Sequence, residues 1–90
     1  MLKIQYHSKF KKDYKRVIKR GCKEALLVEV LEYFIHEKPL PTRYKDHELI
    51  GNYKGFRECH IMPDWLLIYR IEKDILVLTL TRTGTHSDLF

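Results

Sequence analysis

Three histidines, His47, His60 and His86, lie in three separate segments of the chain, each segment also carrying cations and aromatic side chains. Histidine is the side chain whose ordinary pKa lies near neutrality, so a pair of them can serve as base and acid in one proton-transfer reaction. Cleavage of RNA without a metal ion has that need: a base removes the 2′-hydroxyl proton and an acid protonates the departing 5′-oxygen. Cations must steady the charge that grows on the phosphate, and Lys45, Arg57 and Arg82 occupy the same three segments. Trp65 and Phe90 offer aromatic faces on which unpaired bases can stack. Asp64 can join the histidines from the bend beside Trp65, and Glu58, two residues before His60, is an accessory acid.

Each of these residues also has a plainer reading. A histidine in a strand is commonly a hydrogen-bonded core residue, a tryptophan beside a turn commonly plugs a core, and a terminal phenylalanine commonly anchors a chain end. The joint pattern of histidines, cations and aromatics is what favours chemistry over packing. Three histidines with Asp64 would also make a zinc ligand set, but no short spacing such as His-x-x-x-His supports it, so the metal-free reading ranks higher and no cofactor is expected. His7 and His36 sit at element ends among charged neighbours and read as surface residues without a task.

The elements that must bring the three segments together follow from the hydrophobic pattern. Phe56 to Met62 and Leu66 to Glu72 are strand-like runs either side of Pro63-Asp64, a pair suited to a hairpin corner. Leu2 to Tyr6 alternates apolar and polar residues, the period of a half-buried strand. Ser8 suits a helix N-cap; Phe10, Tyr14, Val17 and Ile18 then share one helical face, and Gly21 is a stop. The opposite face carries Lys9, Lys11, Lys12, Lys15, Arg16, Lys19 and Arg20 with Asp13 as the one acid, which is either a solvated face or a phosphate-contacting stripe. A second helix from about Lys23 to His36 presents Leu27, Val30, Leu31, Phe34 and Ile35 to a core and ends before Pro39 and Pro41. The stretch to Gly55 reads as a loop, Lys73-Asp74 as a turn, Ile75 to Thr81 as a strand covered on both faces, and the tail from Arg82 as a turn.

Ninety residues bound this to one domain, residues 1–90. The order strand, helix, helix, strand, strand, strand predicts an α+β fold in which two N-terminal helices pack on a four-stranded, largely antiparallel sheet, with the position of the first strand left open. No apolar run approaches a membrane span and the basic N-terminus lacks a signal-peptide core, so a cytoplasmic protein is expected, with Cys22 and Cys59 reduced. Seventeen Lys and Arg against twelve Asp and Glu give a formal charge of +5, which favours polyanionic partners.

Three separated motifs then carry a resemblance. Tyr44-Lys45-Asp46-His47-x-Leu49, Gly51-x-Tyr53-Lys54-Gly55-Phe56-Arg57-x-x-His60-x-x-Pro63-Asp64-Trp65-x-Leu67-Ile68-Tyr69 and Arg82-Thr83-Gly84-Thr85-His86-x-x-Leu89-Phe90 closely resemble, in content and order, the YafQ family of bacterial toxins within the wider RelE-like group. The match covers roughly the last half of the chain; the first half agrees only as a strand-and-helix layout. The resemblance implies a small RelE-like, microbial-RNase-type domain: the toxin of a type II toxin–antitoxin pair, cleaving mRNA, typically in the ribosomal A site. It implies a cognate antitoxin as partner. It also implies that His47, His60, Asp64 and His86 are catalytic, that Trp65 and Phe90 support the substrate, and that Arg82 stabilises phosphate. On this reading His86 is the acid and His60 or His47 the base. The rival is a non-catalytic module that binds RNA or protein through its basic helix.

Overall fold

The computed structural model describes residues 1–90. Strand β1 (Lys3–Tyr6) leads into helices α1 (Ser8–Lys19) and α2 (Glu24–Ile35). Strands β2 (His47–Glu48), β3 (Arg57–Met62), β4 (Trp65–Glu72) and β5 (Val77–Gly84) follow, and a single helical turn, α3 (His86–Leu89), ends the chain. The α+β class is as expected, but the sheet has five strands, in the order β1-β5-β4-β3-β2. The additional strand is β2, formed where a loop was expected; two residues are too few for alternation to show in a sequence. β1 finds its place at the sheet edge, parallel to β5 from Lys3↔Val77 to Tyr6↔Leu80, and the other pairs are antiparallel.

The helices form for the reasons their patterns give, with instructive exceptions at α1. His7, not Ser8, caps it: His7 has extended backbone and its Nδ1 accepts the Lys9 N–H at 3.3 Å. Phe10 and Val17 are buried as expected, whereas Ile18 is exposed and Asp13, placed by the sequence among the solvated lysines, is 4% exposed. Asp13 is drawn inward because it meets β5, accepting from Arg82 Nε at 2.6 Å and from the Thr83 N–H at 3.2 Å. In α2, Leu27, Val30, Leu31 and Phe34 are buried as their spacing requires.

Strand alternation divides the sheet into two faces. Cys59 and Ile61 of β3 and Trp65, Leu67 and Tyr69 of β4 join the main core with α1 and α2. Leu66 and Ile68 turn the other way and bury against Leu89, with Leu49, Tyr53 and Phe56 around them. A leucine taken fully from water contributes about 1.5–3 kcal/mol, so Leu89 gives the tail one apolar anchor on this face. β5 begins later and ends later than its apolar run suggests. Ile75 and Leu76 are exposed in the turn, where Leu76 takes a left-handed conformation (φ 54), and the strand continues to Gly84 because Thr83 pairs with Leu67. No helix is long and apolar enough to cross a membrane.

Candidate active site

The sheet register gathers the three histidine segments. His47 pairs with Glu58, His60 pairs with Leu66, and Leu66 pairs with Gly84, two residues before His86. Adjacent strands lie about 4.8 Å apart, so the two steps from His60 across β4 to Gly84 span about 10 Å. Directly paired side chains share a face, and Glu58 and His60 alternate with the core residues Cys59 and Ile61. Glu58 therefore lies on the sheet face turned away from α1 and α2, and His60 lies at its rim, beside a hollow that Leu26 and Glu29 of α2 also line.

Glu58 is at the centre of the gathered set. Its side chain is only 5% exposed, and Oε1 stands 3.5 Å from His47 Nε2 and 3.6 Å from His60 Nε2. Oε2 is buried with no hydrogen-bond partner at all. The His47 ring is oriented from its other side, where Nδ1 lies 2.8 Å from the Lys45 carbonyl. A carbonyl only accepts, so this nitrogen carries the proton and Nε2 is left to face the carboxylate. Lys45 aims that carbonyl from a left-handed backbone conformation, φ 49. The two rings are 6.3 Å apart, and His60 and Lys45 also border a hollow of about 510 Å³.

His86 reaches the same face from α3. Its ring stacks on Phe90 at 4.9 Å, and Phe90 meets the edge of Tyr53 at 5.6 Å while remaining 56% exposed. No hydrogen bond or ion pair links His86 to His47, Glu58 or His60, so the titratable groups form two stations, a pair of histidines around Glu58 and a single histidine on the tail. Arg82, on β5 opposite Ile68, is held by Asp13, whose hydrogen bond raises its pKa above the ordinary value; Tyr53 adds to that. Asp64 is exposed in the turn between β3 and β4, at the end of the sheet nearest His60.

Two residues expected at the site are directed elsewhere. Trp65 shares the parity of Leu67 and Tyr69, so it is buried at 2% exposure in the main core, its Nε1 donating to Thr83 Oγ1 at 2.8 Å; it presents no face to a base. Arg57 likewise turns toward the helix side, where Asp46 accepts from its Nε and Nη2 at 3.3 and 3.1 Å and raises its pKa, and the buried Tyr69 hydroxyl donates to the same carboxylate. Asp46, next to His47, is thereby clamped. Lys45 remains exposed beside the set. The sequence undervalued Glu58 and passed over Tyr53; its signal was its place between Gly51 and Gly55 in the second motif, but only the folded loop brings it to Phe90.

No group of three His, Cys, Asp or Glu side chains is arranged to hold a metal ion. What the geometry can do is exchange protons at two points about a strand width or two apart, with a buried carboxylate behind one of them.

Comparison with known proteins agrees with this frame. A family model described as "Bacterial toxin of type II toxin-antitoxin system, YafQ" matches residues 2–90. The mRNA interferase toxin YafQ of Escherichia coli K12 is 41% identical over 88 residues, covering 97% of this chain and 94% of that protein. Among solved structures, a metal-bound toxin from Helicobacter pylori is 48% identical with a TM-score of 0.93, each chain covered in full. The E. coli DinJ–YafQ complex aligns with a TM-score of 0.89 at 40% identity, covering 100% of this chain and 99% of that one. A match over nearly its whole length, with the same fold at this identity, means that the chain belongs to the YafQ family of bacterial type II toxin–antitoxin toxins.

Proposed function

We propose that this toxin is an endoribonuclease that cuts mRNA by acid–base chemistry, with the His47–Glu58–His60 cluster as the base and His86 as the acid. The 2′-oxygen gives its proton to the cluster and attacks the adjacent phosphorus; the bond to the 5′-oxygen breaks and His86 protonates that oxygen. The products are a 2′,3′-cyclic phosphate and a 5′-hydroxyl. The observation that carries this reading is the buried Glu58 carboxylate between two imidazoles, a costly arrangement that a purely structural site has no need of. Lys45 and the part of Arg82 not taken by Asp13 would meet the phosphate, Phe90 would stack on a base, and Asp64 would act from the turn. We place the chain in the cytoplasm, acting on messages at the ribosome and restrained by a cognate antitoxin, as the DinJ–YafQ assembly of a relative suggests.

The test is incubation of the purified chain with mRNA in EDTA, with and without translating ribosomes, followed by analysis of the new RNA ends. The chelator matters because a relative from Helicobacter pylori is known in a metal-bound form. Expected are 5′-hydroxyl and cyclic or 3′-phosphate ends, reduced about a hundredfold or more in His86→Ala, the scale of a lost general acid. Undiminished cleavage by folded His47→Ala, His60→Ala and His86→Ala proteins would sink the mechanism. Salt-sensitive RNA binding with intact RNA would point instead to a binding module, which the exposed cations of α1 also favour.

A further inference from the structure

The tail helix that carries His86 has only four residues, His86–Leu89, too few to hold a helical turn by their own hydrogen bonds. One carboxylate closes it. Asp88 Oδ2 accepts the Thr85 N–H at 2.9 Å while the Asp88 N–H donates to Thr85 Oγ1 at 3.1 Å, a reciprocal capping box. The same carboxylate is gripped from a distant part of the chain. Arg20, the C-cap of α1, donates from Nη1 to Asp88 Oδ2 at 2.5 Å and from Nη2 to Oδ1 at 3.2 Å. The Arg20 guanidinium, with the Thr85 N–H, holds the Asp88 carboxyl well below the usual carboxylate range. The Arg20 guanidinium is in turn held above its ordinary pKa, chiefly by this hydrogen bond to Asp88.

We propose that Arg20 is a positioning residue, acting through Asp88 to fix the tail so that His86 meets the substrate. The bidentate geometry sets both the distance and the rotation of α3 relative to α1, which a point charge would not. From Asp88 the constraint passes to Leu89, buried against Leu66 and Ile68, and to Phe90, which stacks on His86. Gly84 makes the close approach possible: a Cβ there would stand 2.8 Å from Asp88 Oδ2. The proposal rests on the assignment of His86 as the acid, but the tether is testable apart from it.

The experiment measures kcat and KM on an RNA substrate for Arg20→Met, Arg20→Lys, Asp88→Asn and the Arg20→Met/Asp88→Asn double variant. Amide exchange of Leu89 and Phe90 and the NMR signals of the His86 ring are recorded alongside. Arg20→Met should lower kcat about tenfold with KM and its salt dependence unchanged, speed exchange at both amides and broaden the His86 signals. Lysine should restore part of the loss, and Arg20→Met should add little in the Asp88→Asn background. Unchanged tail exchange in Arg20→Met would overturn the proposal. So would a raised KM with a flatter salt slope and intact kcat, which would make Arg20 a phosphate contact. If the wild-type chain leaves RNA intact, the cleavage chemistry fails alone, and the exchange and ring signals still decide the tether.

Discussion

At the scale of residues, Glu58 is the group whose cost and use separate most clearly. A carboxylate with a 5% exposed side chain, one unpartnered oxygen and two imidazoles at 3.5 and 3.6 Å has given up most of its hydration for contacts too long to be strong hydrogen bonds. Glu58→Gln keeps the shape and removes the charge. Cleavage should fall about a hundredfold, the usual scale for disabling acid–base catalysis. Stability should stay level or rise, because the buried charge is what the fold bears for function. Activity assays beside urea denaturation check this; loss of stability in step with activity would make Glu58 a structural residue. The sequence shows Glu58 only as an acid near His60. Its centrality comes from the two-residue strand β2, whose pairing sets His47 opposite it.

At the scale of elements, what the sequence shows well is alternation, and what it withholds is which face is which. The runs through β3 and β4 are plain in the pattern, yet Trp65 reads as a site residue because a bend of unknown geometry hides its parity, and Arg57 because a cation in the same segment as His60 is counted as near it although alternation sets the two on opposite faces. In the fold Trp65 keeps step with Leu67 and Tyr69, and Arg57 with Cys59, so both belong to the core side. Asp13 is misread for a related reason: a helical wheel puts it among lysines, and only the long-range pair with Arg82 draws it in. The tail is the hardest element, since its helix is held by Arg20 from 68 residues away rather than by local propensity. Gly84 is its joint, with φ +155 and no space for a Cβ beside Asp88. Gly84→Ala should cost roughly 1–3 kcal/mol in denaturant unfolding, the range for a side chain forced into such a conformation. It should also lower cleavage, by displacing α3; wild-type stability and rate in this variant would show the joint to be pliable.

At the scale of the whole molecule, the surplus positive charge is organised by α1. Lys9, Lys12, Arg16, Lys19 and Arg20 recur at helical spacing along one stripe. Within it the two arginines are engaged, Arg16 with Asp13 and Arg20 with Asp88, while the three lysines are exposed and make no ion pair. The stripe ends at Arg20, and therefore at the tail that carries His86. This arrangement turns the sequence's open choice, a solvated face or a phosphate track, into a measurement. If the lysines follow an RNA backbone toward the tail, each contact contributes about 0.7 to the slope of log affinity against log salt for single strands. Replacing Lys9, Lys12 and Lys19 by glutamine should then flatten that slope by about 2 and weaken binding similarly for all sequences. The catalytic constant at saturating RNA should be untouched, because Glu58 is paired with His47 and His60 and the tail's Asp88 with Arg20, and none of the three lysines forms an ion pair with either. An unchanged slope would leave the stripe a solvated face and confine RNA contacts to Lys45, Arg82 and Phe90 around the histidines.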